Sequence, residues 1–140
     1  MKCKTTDNMR IRYWLPPIII IVINVLLISV RWNSLPELLP AHFDLQGNAS
    51  GTMSRNVLLL YPLVETVLCL FAYVFARIKQ KLQLGLIILT SGVSLVLLSS
   101  TLVSLTSGTM PVFMLVEPVI LLVAIIGFIV SVVKSHNNIN

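Results

Sequence analysis

Four stretches of this chain carry almost no charge and are each long enough to cross a bilayer, which restricts the fold more than any other property. The first has IIIIVINVLLISV at its heart and reaches 18 residues once Tyr13 and Trp14 are included. At ~1.5 Å of rise per residue that is about 27 Å, enough for a hydrocarbon core. Its many β-branched residues would read as a strand in water. In lipid a lone strand leaves its backbone unsatisfied, so helix is the expected state. The other spans are expected at 57–76, 82–103 and 111–133. With 56% hydrophobic and 11% charged residues and a mean hydropathy of +0.95, a soluble domain is excluded, since soluble chains are about a quarter charged. The fold class expected is an all-α integral membrane protein of four transmembrane helices, one membrane domain over residues 1–140.

The net charge of +5 would suit nucleic acid if it were spread over a surface. Instead the cations sit in short clusters beside apolar runs, which is the pattern of membrane topology. Lys2, Lys4, Arg10 and Arg12 precede the first span, Arg77, Lys79 and Lys81 link the second to the third, and Lys134 follows the fourth. Only Arg31 and Arg55 lie on the other side. Both termini are therefore expected in the cytoplasm of a cell membrane, with the 31–56 segment as a structured extracytoplasmic loop. Tyr13 and Trp14 suit an interfacial aromatic belt. Cys3 and Cys69 lie in a tail and in mid-span, which argues against a disulfide. No cleavable signal is expected. The polar tail from Lys134 onward is expected to fray.

Two acids lie inside spans, Glu65 and Glu117. A charge at the bilayer centre costs from ~3 to over 10 kcal/mol, so such residues normally face a cavity or a partner. Counted from the outer ends of their helices, the two sit at similar depth, about 12 and 9 Å, and are expected to face each other in the outer half of the bundle. Two carboxylates brought together in low dielectric would share one proton. Each lies near a proline, Pro62 or Pro118, that frees the carbonyl four residues back. Broken helices with freed carbonyls beside acids resemble ion or polar-ligand sites in transporters. Structural hydrogen bonding by a neutral Glu, a polar-ligand or cation pocket, and a proton relay all remain open. Thr90, Ser94 and Thr101 fall on one face of the third span, as at helix–helix contacts.

Most of the remaining polar chemistry is concentrated between Leu35 and Arg55. Pro36 and Pro40 stiffen this insert, and Gly47 and Gly51 permit turns with positive φ. Asp44 suits the cap of a turn. In an extended segment His42 and Asp44 point to the same side. That spacing would serve a carboxylate-oriented imidazole or two ligands of a metal site. A third ligand would have to come from Glu65 or Glu117, so no metal is expected. Ordering of the loop is the plainer role for His42. No nucleophile elbow, phosphate-binding loop, Cys-x-x-Cys or His-Glu-x-x-His occurs, and neither an enzyme nor a cofactor is expected.

Leu35-Pro36-Glu37-Leu38-Leu39-Pro40-Ala41-His42-Phe43, closed by Gly47, resembles the signature of a bacterial membrane domain of unknown function. That domain stands at the N-terminus of SdpI-type proteins. The likeness covers about thirteen residues just after the first span; the rest is hydropathy alone. Arg55 corresponds to the basic residue that often closes the motif. Two features differ: the turn after Gly47 reads Asn48-Ala49-Ser50, and the chain ends after four spans, without the additional segment of the full SdpI type. The resemblance implies immunity to, or sensing of, a membrane-active peptide toxin. The ligand-binding residues expected on this reading are His42, Phe43, Asp44, Glu65 and Glu117, around an outward-facing polar pocket. The expected partners are the lipid bilayer and a peptide toxin or other amphipathic ligand, with no nucleic acid. The alternative is a small transporter or proton-coupled component using Glu65 and Glu117.

Overall fold

Pro16 and Pro17 occupy the first turn of a helix, where a missing N–H leaves no bond unmade. From there the computed structural model, which describes residues 12–41, 51–106 and 111–137, is a bundle of four helices. They are α1 (Leu15–Arg31), α2 (Leu60–Ile78), α3 (Gln83–Leu105) and α4 (Pro111–Asn137). All four are long and apolar enough to cross a membrane. Their outer faces leave no other solvent plausible: Val30 is 81% and Phe71 71% exposed. Side chains of that size covering a surface in water would drive aggregation. The chain is an integral membrane protein.

Three local features depart from expectation. First, the polar end of α4 does not fray at Lys134, because the helix continues through Asn137. Lys134 and His136 sit in its last turn, where cationic and N–H-donating groups suit the carbonyl-rich terminus. Second, Pro62 breaks nothing. It falls in the first turn of α2, where N–H groups have no intrahelical partner anyway, and a 3-10 turn, Arg55–Leu59, leads into it. Pro118, in contrast, lies inside α4, so no N–H from that position reaches the carbonyl one turn back.

Third, the insert contains strands. β1 (Leu38–Pro40) pairs antiparallel with β2 (Thr52–Ser54), with Leu39 opposite Met53. Two further backbone bonds extend the ladder, Ala41 N–H to Gly51 O at 3.1 Å and Arg55 N–H to Glu37 O at 2.9 Å. Gly51 holds φ at 89°, a conformation that side chains with a Cβ rarely adopt.

The hub is α3, which packs against α1, α2 and α4. Its two faces differ. Ile87 joins Trp14, Cys69, Ala72 and Ala76 in one apolar cluster, so the face through Ile87, Ser94 and Thr101, at heptad spacing, is turned to α1 and α2. The face through Gly85, Gly92 and Ser99 is turned to α4. There a Cβ on Gly92 would overlap the Cβ of Ala124, and Gly85 lies against Phe128 and Ser131. Missing side chains let the two backbones approach, and close packing of this kind, rather than hydrophobic exclusion, holds helices together in lipid.

A second apolar cluster seals the opposite end. Ile28 of α1, Leu35, Leu39 of the hairpin and Leu58 pack together, with Trp32, Met53, Tyr61 and Leu105 around them. Leu39 is 2% and Leu58 0% exposed, so the hairpin acts as a plug in the end of the bundle rather than as a loop lying over it.

Candidate functional site

Between these two clusters lies a polar layer. Ile21, against the first cluster, precedes Asn24 by three residues, and Ile28, in the second, follows it by four. On α2, Tyr61 and Cys69 flank Glu65 in the same way, four residues to each side. The i, i+3 and i, i+4 spacing keeps each set on one helix face. Asn24 and Glu65 therefore occupy the gap where α1 and α2 pass each other.

There they meet. Asn24 Nδ2 donates to Glu65 Oε1 at 2.7 Å. Asn24 is 0% and Glu65 1% exposed, so water reaches neither. Among the described residues the second oxygens of both groups, Asn24 Oδ1 and Glu65 Oε2, have no hydrogen-bond partner. Both are acceptors, and a buried acceptor without a donor costs about 1–3 kcal/mol. A donor able to reach both would satisfy them. A proton on the carboxyl, an ammonium or a small cation has the chemistry to do this. A third buried polar atom without a partner, Ser91 Oγ, lies on the face of α3 turned to α1 and α2, one turn from Ile87.

Glu65 and Glu117 do not form the pair that their similar depth suggests. Glu117 Oε1 accepts from Ser99 Oγ at 2.8 Å and from Ser100 Oγ at 3.0 Å, in the seam between α3 and α4. Depth along a helix says nothing of azimuth, and α3 gives each acid its own seam. Both serines also reach the Val96 carbonyl. A hydroxyl has one hydrogen, so each divides it between the helix backbone and the carboxylate.

The hydroxyl stripe on α3 is buried as its spacing suggests, with Thr90 at 7%, Ser94 at 2% and Thr101 at 0% exposure. Its recorded bonds stay within the helix: Thr90 Oγ1 reaches the Leu86 carbonyl at 2.8 Å and Thr101 Oγ1 the Leu97 carbonyl at 3.0 Å. These residues permit close approach rather than bonding across helices.

Of the insert's candidate residues, His42, Phe43, Asp44 and Gly47 lie outside the described residues. Leu35, Pro36 and Pro40 are described, and Leu35 is part of the plug. Arg55 fastens the base of the hairpin. Its guanidinium lies 5.2 Å from the Trp32 ring centroid, within cation–π range, and its Nη1 stands 3.5 Å from the Leu35 carbonyl. Among the described residues no group of three or more His, Cys, Asp or Glu comes together as a metal site.

Asn24 escaped the sequence reading. The signal was present, since it is the one amide in the run IIIIVINVLLISV, and an amide in lipid needs a partner as an acid does.

Residues 19–66 match the family profile described as a domain of unknown function, DUF1648. The match begins within α1, includes the hairpin and ends in α2 one residue after Glu65, so it holds both members of the buried pair. No curated protein and no solved structure matches the chain.

Removing one partner of the pair should separate its two components. Asn24→Ala leaves Glu65 without its donor and should destabilise the bundle by about 1–3 kcal/mol. Glu65→Gln keeps an acceptor for Asn24 Nδ2 and adds an N–H₂ for Asn24 Oδ1, so it should be at least as stable as the parent. Unfolding of purified protein in mixed micelles reads both. A Glu65→Gln variant as unstable as Glu65→Ala would show that the missing donor is not what the pair lacks.

Proposed function

We propose that the protein is a small multi-pass membrane component that accepts one proton or one small cationic group at the Asn24–Glu65 pair, beneath the hairpin plug. The observation behind this reading is the two donor-less oxygens, Asn24 Oδ1 and Glu65 Oε2, on side chains buried in an apolar bundle. Charged and polar groups are expensive at that depth and are normally kept there for what they bind. Glu65 is the working acid in this proposal. Glu117, held by two serine hydroxyls, is an anchor between α3 and α4. No covalent chemistry is part of the proposal.

We also propose that both termini are cytoplasmic, on the distribution of basic residues, eight against two. The hairpin then faces out of the cell, and the ligand reaches the pair when the plug lifts. Leu58 and Leu39 move in that step, and Arg55 on Trp32 restrains it.

A second reading, immunity to or sensing of a membrane-active peptide, draws on the family match running through the hairpin and both polar residues and on the Leu-Pro-x₃-Pro-x-His-Phe likeness. Here the hairpin is the surface that meets the peptide, and the buried pair receives a basic side chain or amino terminus.

Three measurements test these readings. Liposomes containing the protein and a pH-sensitive dye should dissipate an imposed proton, sodium or potassium gradient faster than empty liposomes. Glu65→Gln should abolish the difference and Glu117→Gln should not. If the double variant folds and keeps full activity, the coupling role of the acids is wrong. For topology, Asn48→Cys in a Cys3→Ser, Cys69→Ser background should react with an impermeant thiol reagent on intact cells; labelling only after lysis would reverse the orientation. For the second reading, expression in a sensitive strain should reduce killing by at least one member of a panel of membrane-active peptides, and unchanged killing throughout would discard it.

A further inference from the structure

The basic end of the bundle has a groove that the buried pair does not use. Its walls are the last turn of α2, with Phe75 and Ile78, the Gln80–Leu82 turn, and the last turns of α4, with Val132 and Ser135. Its volume is about 660 Å³, and Lys79, Lys81 and His136 line it beside these apolar side chains. Phe75 also lines a second groove of about 290 Å³ along α2 and α3, with Leu68, Phe71, Leu86, Leu89 and Val93. Phe75 is common to both linings, so the cationic groove and the apolar one are neighbours along α2, the mouth and the tail of one candidate trough.

Each part of the trough limits what occupies it. The tail is almost wholly apolar, so water gains no partners there, and leaving it empty forfeits the dispersion contacts of its walls. In a bilayer the group available to fill it is an acyl chain. The mouth asks for the opposite: two ammonium groups and an imidazole are complementary to an anion, and each is able to give a charge-assisted bond to a phosphate. A phosphate tethered to a hydrocarbon chain meets both demands at once. Clusters of basic residues at the end of membrane spans attract anionic lipid for the same electrostatic reason.

We infer that this trough is a binding site for an anionic phospholipid of the leaflet at the basic end. The phosphate sits among Lys79, Lys81 and His136, and one acyl chain lies along Phe75, Phe71 and Leu89. The inference is independent of the role proposed for Asn24 and Glu65.

Purified full-length protein in detergent is titrated with phosphatidylglycerol and with phosphatidylcholine of identical acyl chains, bound lipid being counted by native mass spectrometry. The wild type should prefer phosphatidylglycerol. Lys79→Ala with Lys81→Ala, both exposed positions, should weaken phosphatidylglycerol on the order of 30-fold and leave phosphatidylcholine unchanged. Lys134→Ala removes a cation outside the groove and should leave the preference intact. Leu89→Trp fills the tail and should weaken both lipids. Equal binding of the two lipids by the wild type, or an equal loss in Lys134→Ala, would overturn the site. So would glycerol phosphate binding as tightly as the whole lipid, since the tail would then contribute nothing.

Discussion

The rest of this bundle is arranged around an amide and a carboxyl held inside it with one hydrogen bond between them and no water in reach. In lipid, polar groups must be satisfied internally, because the solvent offers neither donor nor acceptor. An interhelical hydrogen bond there contributes only about 0.6 to 1.7 kcal/mol, since partners are also found in the unfolded reference state. Two acceptors without a donor would outweigh a bond of that size, whereas a proton on the Glu65 carboxyl turns one of them into a donor. Two apolar clusters, one on each side, isolate the pair.

The division of labour on α3 follows from the same constraint. One side of the helix carries Ile87, Ser94 and Thr101 toward α1 and α2, and the other carries Gly85, Gly92 and Ser99 toward α4. Hydroxyls bonded to their own helix, as at Thr90 and Thr101, are compact and nearly neutral in lipid and permit contact, while Ser91 Oγ on the same face keeps an unmet demand. The glycine side lets α4 come close enough for Glu117 to reach Ser99 and Ser100. Two acids are thereby accommodated in one small bundle by different means. Glu117 is bonded by hydroxyls, whereas Glu65 has a single amide donor and an oxygen to spare.

How much of this is legible in the sequence depends on the kind of signal. The four spans are legible because hydropathy over twenty residues is a large, additive quantity. Glu65 and Glu117 are legible as unusual because an acid in lipid is conspicuous. Their separation is not, since a single chain gives depth by counting residues but gives no azimuth and no order of packing. Asn24 was hidden by its surroundings: one amide barely lowers the hydropathy of IIIIVINVLLISV. The hairpin strands, three residues each, are too short for alternation to register. Pro62 was misleading because proline near an acid suits both a helix start and a helix break. The start of α2 decides between them, and that depends on the turn from Arg55 to Leu59. The insert's histidine motif marks where the hairpin is, but the buried pair lies in the flanking helices, outside the motif itself.

The geometry also ties the hairpin to the pair mechanically. Ile28 stands about one turn beyond Asn24 on α1, and Leu58 lies seven residues before Glu65 on the chain leading into α2. Both belong to the cluster that holds Leu39 of β1. Displacing β1 from the bundle uncovers Ile28 and Leu58 together, and these are the side chains that stand between the hairpin and the polar layer. On the function proposed above, lifting the plug would open a way to the two oxygens, and a donor drawing α1 against α2 would favour the closed plug. If hairpin and pair are coupled in this way, linkage requires that binding at either shift the other by the same free energy.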